Sequence, residues 1–123
     1  MITHPKTEEL VESVALWLEQ IRPSLDPRNA FLSRVAVNAL RTVGREVTVG
    51  PAADAEGVRL MSNLLGHQGS FADLTAELCE RIRAGGMTRE TSGLLPALHA
   101  MAMAQLAIDQ PSYKPEGTPP PAS

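Results

Sequence analysis

Aromatic side chains are scarce in this sequence: two Phe, one Trp and one Tyr amount to 3% of its 123 residues. The apolar weight falls instead on Leu, Ala, Val and Met, a mix that favours helices over sheets. Cysteine is rarer still. A single Cys79 excludes an internal disulfide framework and fits a reducing compartment. Long apolar runs are also missing, with none near the ~20 residues that a membrane span needs. Met1 to Pro5 has neither the basic region nor the apolar core of a signal peptide, so the expected location is cytoplasmic. Positive charge is in deficit, with 11 Lys and Arg against 14 Asp and Glu. A net charge of -3 gives the whole molecule no attraction for nucleic acid or an anionic membrane surface.

What remains is ordinary globular composition, 43% hydrophobic and 20% charged, in a chain long enough to bury a core without staples. Leu10, Val14, Trp17, Leu18 and Ile21 form one stripe of a first helix, with Thr7 as the candidate cap. Pro23 limits it. Asp26-Pro27 then supplies a cap and a first-turn proline, predicting a second helix from about Arg28 to Val47, closed by Val49-Gly50-Pro51. A shorter third helix is expected from about Asp54 to Leu65, ending at Gly66. Ser70 to Asp73 resembles a capping box, and Phe71, Leu74, Leu78 and Ile82 mark a fourth helix that stops at Gly85-Gly86. The fifth should begin near Thr91 or Ser92, hold Pro96 in its first turn or be kinked by it, and end at Asp109 before Gln110-Pro111. The expected fold is all-α: one bundle of about five mostly antiparallel helices over residues 1–113, followed by a loose proline-rich tail, 114–123.

LSRVAVNALRTVGREV, residues 32–47, raises the main functional question. On a helical wheel Leu32, Val35, Ala36, Ala39, Leu40, Val43 and Val47 share one arc, which is expected to face the core. Arg34, Asn38, Arg41 and Arg45 lie opposite. They are either a solvated back or a docking strip for an acidic partner or phosphate-bearing ligand. Phe31 and Val37 flank that stripe and add apolar surface to it.

Arrangements that carry catalysis or bind metal are missing. His4, His67 and His99 are far apart, with no HExxH and no paired CxxC, so neither a catalytic centre nor a metal or other cofactor is expected. His67 reads as a loop or capping residue, and Cys79 as an inert core thiol. Glu77 and Glu80 read as solubilising charges. The fifth helix is apolar or small nearly all round, and Ala100, Met103, Ala104 and Ala107 form a second face able to pair with another copy. Within it Gln105 and Asp109 are odd. If buried they need partners, or, with Met101, Gln105 lines a small polar pocket.

Three segments, RVAVNALRTVGRE, DLTAELCERIRAG and QLAIDQPSY, together with the ELVESVALWL opening, resemble the bacterial domain-of-unknown-function family DUF 6285. The resemblance implies a small helical protein of the kind found beside, or fused to, aminoglycoside-phosphotransferase-like kinases and acyl-CoA dehydrogenases. It suggests an accessory role in acyl-CoA metabolism and supplies no catalytic residue to carry over, and it puts weight on Arg34, Asn38 and Ala39 and on the Pro111 to Tyr113 ending. The chain departs from the family pattern at Gln110, at Gln105 and in its LLPALHAMAMA run. Two functions follow as expectations: a non-catalytic interaction module acting through the Arg34 to Arg45 face, or a bundle binding an acyl or CoA-like anion.

Overall fold

The structure, a computed structural model, describes residues 5–113; the tail expected from 114 onward lies outside them. Four α-helices and one short 3-10 turn make up its regular structure, and among the described residues there is no strand. Helix α1 is Thr7–Ile21, followed by the turn Arg22–Ser24; α2 is Pro27–Leu65, α3 Phe71–Arg83 and α4 Leu94–Asp109.

Local signals account for most ends. Lys6, and not Thr7, caps α1, because the Glu9 carboxylate accepts the Lys6 backbone N–H at 3.4 Å. Asp26 begins α2 by accepting the Asn29 backbone N–H (3.3 Å) and side-chain amide (2.6 Å). Those bonds, the side-chain one foremost, hold its carboxyl below the usual range. Ser70 Oγ accepts the Asp73 N–H at 3.1 Å, as the capping pattern predicts. Gly66, at φ +81°, ends α2 in the left-handed conformation that other residues adopt at a cost. Pro96 is the third residue of α4, where a missing N–H leaves no helical bond unmade.

The count of five helices is corrected at Pro51. The second and third expected helices are one continuous element, and Val49-Gly50-Pro51, expected to close the second, lies inside it. Pro51 cannot donate to the Val47 carbonyl four residues back, a defect that costs about 3 kcal/mol in a helix interior. The helix survives it because Ala52, Ala53 and Ala55 are strong helix formers on the far side.

The described residues divide into two compact units, one up to Asp54 and one from Ala55 onward. In the first, α1 packs against the N-terminal part of α2 along a seam of small residues. Ala15 is fully buried, Val37 is 3% exposed and Ser33 is buried. The Ser33 hydroxyl donates to the Ala30 carbonyl (2.6 Å) and accepts Arg22 Nε–H (2.9 Å). At Gly44 a Cβ would sit 3.9 Å from Val11, so the two helices approach closely there. The arc expected to form the core is therefore misplaced: Leu32, Val35, Val43 and Val47 are exposed, while Val37, assigned to the opposite side, is buried. A wheel locates an apolar arc, but helices meet where small side chains allow contact.

In the second unit the core is Met61, Leu65, Leu74, Leu78, Met87 and Leu94, with Val58, Leu64, Leu98 and Met101 packed against it. Phe71 lies across Gly57, where an added Cβ would come within 2.7 Å of its ring. Cys79 is exposed, not a core thiol, because Leu74 and Leu78 take the buried positions of α3.

Candidate interaction site

The four polar residues of the α2 stripe have different surroundings. Arg34 and Asn38 are exposed. Arg41 is half-buried and turns to α1, where Nη1 donates to Glu19 at 2.8 Å and Nη2 to Glu12 at 3.4 Å. Bonding to Glu19, then to Glu12, raises the guanidinium pKa further. Arg45 donates from Nη2 to Thr42 Oγ1 at 3.1 Å. The stripe is thus split: its Arg41 edge helps join two helices, and its Arg34–Asn38 edge faces outward.

Glu12 and Glu19 are the functional neighbours that a single-helix reading misses. Their seven-residue spacing puts them two turns apart on one edge of α1, a geometry able to straddle one guanidinium. Only the antiparallel seam shows which cation fills the gap. Along this edge runs a groove of about 280 Å³, lined by Glu8, Val11, Glu12, Leu40, Arg41, Gly44, Arg45 and Thr48. Its two arginines face two carboxylates, so its charges are balanced.

Met101 and Gln105, one turn apart on α4, have different surroundings. Met101 packs on the core of the second unit. Gln105 is exposed and its amide donates to Asp109 Oδ2 at 2.9 Å, one helical turn away. Each is the other's partner, and neither faces the interior. A groove of this unit, about 360 Å³, is lined by Leu60, Asn63, Leu64, Ser92, Gly93, Pro96 and Ala97.

A further cluster joins the α2–α3 loop to α3. His67 Nε2 lies 2.7 Å from Glu77 Oε2 and Nδ1 lies 3.0 Å from the Gln68 carbonyl, while Arg81 is 3.8 Å from the other Glu77 oxygen. Both ring nitrogens face acceptors, so the protonated ring is favoured and its pKa is raised, by the Gln68 carbonyl first and Glu77 next. Glu77 thus has a structural role beyond solubility. Among the described residues no three His, Cys, Asp or Glu side chains converge as metal ligands, and no helix is long and apolar enough to cross a membrane.

These observations define the class as a small all-α protein with its most distinctive surfaces on one helical hairpin. The chain belongs to the family described as domain of unknown function DUF6285, which it matches over residues 23–113. That span begins after α1, so Glu12 and Glu19 lie outside it. No curated protein and no solved structure gives a match to this chain.

Proposed function

We propose that this protein is a non-catalytic interaction module, an accessory that docks an acidic protein surface through the outward edge of α2. The observation that carries this reading is the exposed strip of Phe31, Arg34 and Asn38. Spacings of three and four residues align them on one helix face, and Phe31 is 62% exposed. Aromatic residues and Arg are both enriched at protein–protein interfaces relative to the rest of a protein surface. The family resemblance directs attention to acyl-CoA dehydrogenases and phosphotransferase-like kinases as the enzymes so served.

The test is capture from the native host with wild-type protein and with Phe31→Ala/Arg34→Glu, at low and at raised salt. Specific retention of one acidic partner by the wild type only, weakening as salt screens the contact, supports docking. Equal retention by the folded double variant overturns it. A second reading, binding of an acyl or CoA-like anion, is favoured by the groove beside Arg41 and Arg45. Glu8 and Glu12 in the same lining oppose it, and titration with coenzyme A separates the two: saturable binding lost in Arg45→Ala selects the groove.

A further inference from the structure

Periodicity together with the Arg41 contacts defines the two sides of the α1–α2 hairpin. Arg41 reaches Glu12 and Glu19, so those residues mark its polar side. Rotating about each helix in the opposite sense, at about 100° per residue, brings Leu10, Val14 and Trp17 of α1 and Leu32, Val43 and Val47 of α2 to the other side. All six are exposed, Trp17 at 56% and Leu10 at 53%. With Val35 at the rim they offer on the order of 600 Å² of apolar surface, most of what one partner contributes to a stable interface of about 800 Å² per side.

We infer that this face pairs with a second copy of the same chain, the two α2 helices running antiparallel to form a four-helix arrangement from two hairpins. The charges at its margin are self-complementary. Arg28 and Glu46 are separated by 18 residues, about five turns, and so share one helical edge about 27 Å apart. Both are exposed, and neither has an ion-pair partner among the described residues. A two-fold axis midway between them places each Arg28 against the partner copy's edge at Glu46, with Val35 and the small Ala39 straddling the axis. An isologous contact needs such a palindromic edge; an unrelated partner does not. The Phe31–Arg34–Asn38 strip lies toward the polar side and stays open, so docking and pairing are separable.

Sedimentation across a concentration series, with circular dichroism on each variant, provides the test. Wild type is expected to be a dimer, and Val43→Glu a monomer of unchanged helicity because the position is already exposed. Arg28→Glu and Glu46→Arg should each weaken the dimer by tenfold or more, and the two changes together should restore it. A wild type that stays monomeric throughout overturns the inference, as does a dimer that survives Val43→Glu. So does a charge-swapped protein no tighter than the single variants. Loss of the dimer in Met103→Lys, but not in Val43→Glu, would move the interface to the second apolar face of α4 and overturn it too.

Discussion

Two glycines of α2 provide a test in which the same substitution should act with opposite sign. Inside a helix Gly→Ala normally stabilises by about 1 kcal/mol, because the unfolded chain loses freedom and the helix gains a better former. At Gly44 nothing opposes that gain: the new methyl would meet Val11 Cγ1 at 3.9 Å, an ordinary van der Waals distance. Gly44→Ala is therefore expected to raise stability by roughly 0.5–1 kcal/mol. At Gly57 the methyl would stand 2.7 Å from Phe71 Cε2 and 3.4 Å from Cδ2, overlapping the ring edge by most of an ångström. Overpacking of this kind costs about 1–3 kcal/mol, which exceeds the propensity gain, so Gly57→Ala should destabilise by roughly 1 kcal/mol. Urea denaturation of both variants, followed by helical circular dichroism, reads the two signs. A double-mutant cycle identifies the cause: in a Phe71→Ala background the ring is gone, and Gly57→Ala should turn stabilising. If Gly57→Ala stabilises the wild type, or stays equally harmful without the ring, the close packing of Phe71 on Gly57 is wrong.

Three other expectations follow from the second unit. Leu74 is fully buried in its core, so Leu74→Ala should cost about 2–5 kcal/mol in denaturant unfolding, well above any surface change on the same helix. Ser62 is buried and its hydroxyl has no hydrogen-bond partner among the described residues, so Ser62→Ala should raise stability by about 1 kcal/mol; a loss of that size would mean the hydroxyl is satisfied. His67 has a raised pKa, so its contacts stabilise fully below the unfolded-state pKa and are lost as pH rises through the folded one. His67→Gln should flatten the resulting fall in midpoint across the neutral range, and an unchanged pH profile in that variant would remove His67 as its source.

Most helix ends were legible along the chain because they depend on neighbours in sequence. Asp26-Pro27, Ser70, Gly66 and the Gln110-Pro111 break act through bonds or dihedral preferences spanning four residues or fewer. Gly50-Pro51 carries the same local signal and was overridden, since a helix can tolerate one lost bond when good formers continue it. The candidate site was legible as a set of residue types and a spacing, and Arg34 and Asn38 are exposed as a solvated or docking edge requires.

Amino-acid order by itself determined that the described part of this chain is helical, and where most of its turns fall, because propensity, capping and periodicity are properties of a single segment. Only tertiary structure decided which side of α2 meets α1. The apolar arc of Leu32 to Val47 and the small-residue seam of Ser33, Val37 and Gly44 are adjacent faces of one helix, and both are competent to pack. Choosing between them depends on the close approach that Ala15 and Gly44 permit and on the paired carboxylates of Glu12 and Glu19 that receive Arg41. Those are contacts between residues more than twenty positions apart, and the period of one helix carries no information about the surface it will meet.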